Sequence, residues 1–120
     1  MSTYVEITLP WPLGLSPNRA RTTTQSSRTG HEAEDREKGR KAAQGLSLPQ
    51  GYVPKSDLPL VIIQHPPDHR KRDNLSLPYM LKAQIDGVCD VLGIDDYCFE
   101  PVTQTRGEAV KGGRVVLRIG

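Results

Sequence analysis

Between Leu77 and Leu92 the apolar residues fall at Leu77, Leu81, Ile85, Val88 and Leu92, at intervals of 4, 4, 3 and 4. That spacing lines them along one face of an α-helix. Burying such side chains contributes ~1.5–3 kcal/mol each relative to exposure, so the face demands a partner surface. Ser76 offers a cap, Pro78 is tolerated in a first turn, and Gly93 suits the end. The short apolar run Leu60-Val61-Ile62-Ile63, inside Leu58–Gln64, predicts a buried strand ahead of this helix, and Tyr97–Thr105 predicts a strand after it.

The remaining elements follow from composition and punctuation. Tyr4–Leu9 is rich in β-forming residues and is stopped by Pro10 and Pro12. Gly14–Arg28, full of Ser, Thr, Pro and Arg, reads as a long loop, and loops of that length are uncommon unless they function or are disordered. Thr29–Gln44 reads as a helix capped by Thr29 or Gly30, with acids in its first turn, basic residues after them and Gly45 at its end. Its apolar stripe is poor, which predicts a helix lying at the surface. Gly107–Gly113 reads as a turn. Arg114–Ile119 alternates Val115, Leu117 and Ile119 against Arg114, Val116 and Arg118, as a half-buried strand does. The order β-α-β-α-β-β predicts an α+β fold, a mixed β-sheet with helices packed on it, in one domain spanning residues 1–120.

A chain of 120 residues has one core and little room for an enclosed substrate site. A large substrate lying across the surface fits better, and dimerisation would cover more apolar area. The net charge of +2 says little by itself, but its distribution is uneven. Arg19, Arg21 and Arg28 dot the early loop, His69-Arg70-Lys71-Arg72 is a dense run, and Arg106, Lys111, Arg114 and Arg118 mark the C-terminal part. Acids gather in Glu32-Ala33-Glu34-Asp35 and Asp95-Asp96. One basic face with a local carboxylate cluster is the expectation, against the plainer reading of a solvated surface. Cys89 and Cys98 lack zinc-ligand spacing and suggest no disulfide framework. No stretch approaches ~18 apolar residues and the N-terminus lacks signal-peptide features, which points to a soluble protein of a reducing, cytoplasmic compartment.

Acids flank the helix on both sides, Asp73 before it and Asp95-Asp96 after it. They can meet if the strands leading in and out are neighbours. Grouped carboxylates bind hard cations such as Mg²⁺, and such an ion can generate a nucleophile and stabilise charge at a phosphodiester. Lys82, one residue past the core-facing Leu81, sits at the edge of the buried stripe, within reach of a phosphate or an attacking water. Each piece also has a structural explanation: Asp-Asp pairs are common in turns, and Asp-Asn before a helix is often a cap. His65 and His69 are four apart, but Pro66-Pro67 forbids the helix that would pair them. Trp11 and Phe99 read as packing residues.

Taken in order, these stretches resemble the RusA family of Holliday junction resolvases across most of the chain. Ile7-Thr8-Leu9-Pro10-Trp11-Pro12 resembles its opening strand and turn, and Ser16-Pro17-Asn18-Arg19 the loop that follows. The basic run into Asp73-Asn74-Leu75 resembles its Arg-Asp-x-Asp-Asn-Leu motif. Lys82 with Asp86 resembles its helix lysine with an acid four residues on, Asp95-Asp96 its acidic pair, and Val110-Lys111-Gly112-Gly113-Arg114 its last hairpin. The resemblance implies a Mg²⁺-dependent homodimer, with Mn²⁺ as a possible substitute, that binds four-way DNA junctions and nicks two opposed strands in a bacterial or phage-infected cell. It implies Asp73, Asp95 and Asp96 as metal ligands, of which Asp95 is the weaker. Lys82, Asp73 and Asp96 become catalytic residues, and Arg70, Lys71, Arg72, Arg19 and Lys111 become DNA contacts. Two departures stand out. Lys71 occupies the place of the motif's first acid, or else the second acid is lost, and Lys82 lies nine positions after Asp73, longer than the family spacing. Asp68 or Asp86 is the candidate substitute. The alternatives are a nuclease for other branched DNA, a DNA-binding module of the same fold with impaired chemistry, and an interaction protein without a nucleic-acid partner.

Overall fold

The computed structural model describes residues 4–12, 25–48, 57–69 and 76–120. The elements run β1 (Val5–Pro10), α1 (Gln25–Ala43), β2 (Leu58–His65), α2 (Ser76–Leu92), a 3₁₀ turn (Asp96–Cys98), β3 (Phe99–Arg106) and β4 (Arg114–Ile119). This is the expected β-α-β-α-β-β order of an α+β fold, with one four-stranded mixed sheet ordered β1-β4-β2-β3.

The two strands around α2 are neighbours. β2 and β3 pair in parallel, Ile62 opposite Gln104 and Ile63 opposite Thr105, as a β-α-β crossover requires. The predicted α2 stripe is buried along its whole length, with Leu77, Leu81, Ile85, Val88 and Leu92 all in the core. They pack with Ile7 and Leu9 of β1, Leu58, Leu60 and Ile62 of β2, Phe99 of β3, and Val115, Leu117 and Ile119 of β4. Gly93 ends the helix at φ +73°, where its N–H and that of Ile94 both donate to the Cys89 carbonyl at 2.9 and 3.2 Å. The chain then folds back against α2 as the 3₁₀ turn, so Tyr97 and Cys98 precede the strand rather than begin it.

β4 corrects the expectation of a final hairpin. It lies between β1 and β2, antiparallel to both, and does not pair with β3. The connection 107–113 carries the chain across the end of β2: Gly107 N–H donates to the Gln64 carbonyl at 2.8 Å, and Val110 N–H to the Pro66 carbonyl at 2.9 Å. β1 is thereby an edge strand, which explains how it includes Pro10 instead of stopping before it. Trp11 is half-buried against the core and Phe99 lies within it, both as packing residues.

α1 departs furthest from expectation. It begins at Gln25, inside the segment read as loop, so Thr29 and Gly30 are interior residues rather than caps, and its first turn holds no acid. It lies at the surface as expected, most of its described residues being exposed, yet it is closely docked. Gly39 of α1 and Gly87 of α2 let the two backbones approach closely: a Cβ on Gly39 would lie 1.8 Å from the Gln84 carbonyl oxygen, and one on Gly87 1.9 Å from that of Arg36. Backbone contact takes the place of an apolar stripe, and ion pairs rim it. Asp90 of α2 accepts from Arg36 Nε at 2.8 Å and Nη2 at 2.9 Å, and from Arg40 Nε at 3.0 Å. These guanidinium groups hold the Asp90 carboxyl down at about 2. The buried Gln84 amide ties α2 to the end of β1, donating to the Pro10 carbonyl at 3.4 Å.

Candidate active site

Lys82 and Asp96, fourteen residues apart in sequence, meet in space. Lys82 projects from the solvent side of α2, one position beyond the buried Leu81. One turn later the same helix presents Asp86, and the return through Gly93 brings Asp96 to the same point. The Lys82 ammonium donates to Asp86 Oδ1 and to Asp96 Oδ2, each at 2.6 Å. The parallel crossover sets up this meeting: helix and returning chain belong to one β-α-β unit, and the 3₁₀ turn lies against the helix.

The charges reinforce one another. The hydrogen bonds that Lys82 donates, to Asp86 first and Asp96 second, raise its pKa above the ordinary value. The Lys82 hydrogen bond is the main cause that lowers Asp96 below the usual carboxylate range. At neutral pH Lys82 is therefore an ammonium and Asp96 a carboxylate. Lys82 can neutralise a phosphate or hand over a proton; it is not a base. Cys89 lies beneath this cluster, buried, and desolvation pushes its thiol up to about 12, which removes it as a nucleophile.

Asp95 does other work. Its Oδ1 accepts from the Tyr97 N–H at 3.1 Å and caps the 3₁₀ turn, so this acid positions Asp96. Asp86, read in the sequence as a substitute acid, stands at the centre, whereas Asp68 is half-buried with an interaction of its own. Lys111 is exposed in the connection between β3 and β4. Asp73, Arg70, Lys71, Arg72 and Arg19 lie outside the described residues. The imidazole of His65 meets the Glu108 carbonyl at 2.9 Å through Nδ1, which ties down the connection.

Asp86 Oδ1 and Asp96 Oδ2 face a common point now held by a cation, Lys82. Hard oxygen donors converging on one positive charge suit Mg²⁺ or Mn²⁺, and Mg²⁺ commonly uses one or two carboxylates plus water and phosphate. Among the described residues no group of three or more His, Cys, Asp or Glu side chains could hold a metal ion. The described part of the centre is thus a two-carboxylate site.

Next to Lys82 the surface opens into a groove of about 430 Å³ between α1 and α2, lined by Glu32, Ala33 and Arg36 on one side and Tyr79, Lys82, Ala83 and Asp86 on the other. The sequence reading missed this groove. Its walls come from a helix whose docking depends on glycines, and only the Gly39 and Gly87 positions hint at it.

No protein-family model matches the chain. An uncharacterized protein of Xylella fastidiosa is 34% identical to it over 117 residues, which cover 94% of this chain and 74% of the relative. The chain belongs to that protein's family. The match takes in α1, α2 and the 3₁₀ turn, since so little of the chain falls outside it. The relative's description states no activity, so function has to be argued from the geometry around Lys82. Among the described residues no helix is long and apolar enough to cross a membrane.

Proposed function

We propose that this chain is a metal-dependent, structure-selective DNA endonuclease of the RusA type, a homodimer that resolves four-way junctions by paired nicks. The observation that carries the reading is the meeting of Lys82 with Asp96 and Asp86 at 2.6 Å on a solvent-facing side of α2. Two carboxylates and an ammonium at one exposed point form a centre suited to phosphodiester hydrolysis. The same residues occupy the places that the RusA resemblance marks as acid and lysine.

In this reading Asp96 and Asp86 would hold Mg²⁺ or Mn²⁺, with Asp73 supplying a third carboxylate from the segment before α2. A divalent ion so bound supplies a water of lowered pKa and offsets charge at phosphorus. The chain's own part is electrostatic. Asp95 fixes the 3₁₀ turn and with it the direction of Asp96. Lys82, an ammonium at neutral pH, would offer a positive charge to the scissile phosphate and a proton to the departing oxygen. The basic run Arg70-Lys71-Arg72, with Arg19 and Lys111, would bind the DNA backbone.

A second reading keeps the DNA and drops the chemistry. The two-carboxylate character of the described centre favours it, because each lost carboxylate weakens hold on a divalent ion. Incubating the pure protein with end-labelled four-way junctions, with and without Mg²⁺ or Mn²⁺, separates the two. Paired, metal-dependent nicks near the branch support the nuclease. Junction binding without cleavage at any metal concentration supports the binding module, and neither binding nor cleavage rejects both.

A further inference from the structure

We propose that the groove between α1 and α2 receives one unpaired nucleobase of the DNA, stacked on the Tyr79 ring beside Lys82. The proposal rests on the nuclease reading and names the part of the substrate that the groove would recognise. Its first support is continuity: Lys82 and Asp86 belong both to the charged centre and to the groove wall. Whatever occupies the groove therefore sits beside the scissile phosphate.

The second support is shape. Tyr79 remains 59% exposed although it stands in a concavity, so its ring is available for stacking. Ala33 and Ala83 contribute no bulk, and about 430 Å³ admits a flat heterocycle. Stacking on an aromatic side chain tolerates any base and needs only an uncovered ring face.

The third support is charge. The cations of the groove are already matched, Arg36 by Asp90 and Lys82 by Asp86 and Asp96. Glu32 adds a carboxylate that can accept hydrogen bonds. A neutral base needs no unmatched cation, and every base carries at least one N–H from which a carboxylate can accept a hydrogen bond. In a paired duplex both the ring faces and those N–H groups are taken. The groove would then select DNA in which a base near the cut is unpaired, which is a source of structure selectivity.

The test uses the full chain with four-way junctions carrying 2-aminopurine singly at each position flanking the branch. Binding of the wild type should change the fluorescence strongly at one position. Tyr79→Phe should keep that change and Tyr79→Ala should lose it, with cleavage slowed on the order of tenfold, the size expected for one stacked base. An abasic nucleotide at the responsive position should slow the wild type similarly and leave Tyr79→Ala unaltered. If the wild type binds and cuts junctions while Tyr79→Ala matches it in fluorescence and rate, the base pocket is wrong and the nuclease reading survives. If the wild type binds no branched DNA, both are overturned.

Discussion

At the scale of single residues the decisive group is Lys82. Its ammonium is fixed by two acids, and each partner's shift favours the charged form of the other. The sign of the linkage follows. The raised Lys82 pKa adds stability that is present below the ordinary lysine value and lost as pH rises through the higher folded value. The lowered Asp96 pKa adds stability that is present above the ordinary carboxylate value and lost as pH falls through the lower folded one. Between those limits the pair is intact, yet the side chains are 59% and 37% exposed, so its contribution to folding is small. Mutation here should therefore be read in chemistry rather than stability. Lys82→Ala should slow junction cleavage by about 100-fold or more while leaving the melting temperature and junction affinity nearly unchanged. Asp96→Asn, similar in shape but a poorer ligand, should do the same. Single-turnover rates beside binding isotherms check this, and equal loss of rate and affinity would move both residues from catalysis to binding. Lys82 and Asp96 stood out in the sequence because order and spacing resembled a known pattern, and the fold brings the two side chains together. The role of Asp95 did not, because a cap depends on where the turn starts, and Asp-Asp reads the same whichever acid does the capping.

At the scale of elements the docking of α1 on α2 shapes the groove. α2 was legible because its five apolar residues keep helical spacing, and burial of that face overrides local ambiguity. α1 was legible as a helix ending before Gly45, but its start and its docking were not, because glycine contact and ion pairs leave no periodic apolar signal. The position of β4 was hidden for another reason: a short connection suggests a hairpin, and only the hydrogen bonds of Gly107 and Val110 across the end of β2 send the chain past β3's neighbour. Two outcomes follow. Gly87→Ala would gain ~1 kcal/mol of helix propensity if nothing else changed. Here its Cβ meets backbone at 1.9 Å, and backbone cannot swing aside. Net destabilisation of ~1–3 kcal/mol is expected by chemical denaturation, as for overpacked cores. No change would mean that the helices do not touch there. Asp90, held down at about 2, stabilises the folded state above the ordinary carboxylate value of 3.8, and that contribution fades as pH falls toward 2. Asp90→Asn should therefore be less stable than the wild type at pH 7, with the gap closing between about pH 4 and pH 2. Melting curves across that window measure it, and a gap independent of pH would assign the loss to packing instead.

At the scale of the whole molecule the proposed paired nicking requires two matched centres from one small chain. The net charge of +2 gives little long-range attraction to DNA, so affinity has to come from where the cations lie. The described centre carries a single Lys82 with acids around it, and one such centre makes one nick. A four-way junction has near two-fold symmetry, and a symmetric pair of chains would put one centre on each of two opposed strands. The expected species in sedimentation is thus a dimer at micromolar concentration, and one dimer should bind one junction. The basic run Arg70-Lys71-Arg72 precedes α2 in sequence and so precedes Lys82 on each copy. Each phosphate contact made by such a cation releases counterions, which makes the logarithm of affinity fall linearly with the logarithm of salt. Replacing Arg70, Lys71 and Arg72 together by Ala should reduce that slope by roughly one unit per lost contact, without altering the dimer. Junction and linear duplex should be affected alike, because phosphate contacts carry no structural preference, whereas Tyr79→Ala should reduce the junction-to-duplex ratio with little change in slope. Titrations of both DNAs at several salt concentrations resolve the two effects. A slope unchanged by the triple substitution would remove the run from the interface, and a monomer that still makes paired nicks would remove the symmetric pair.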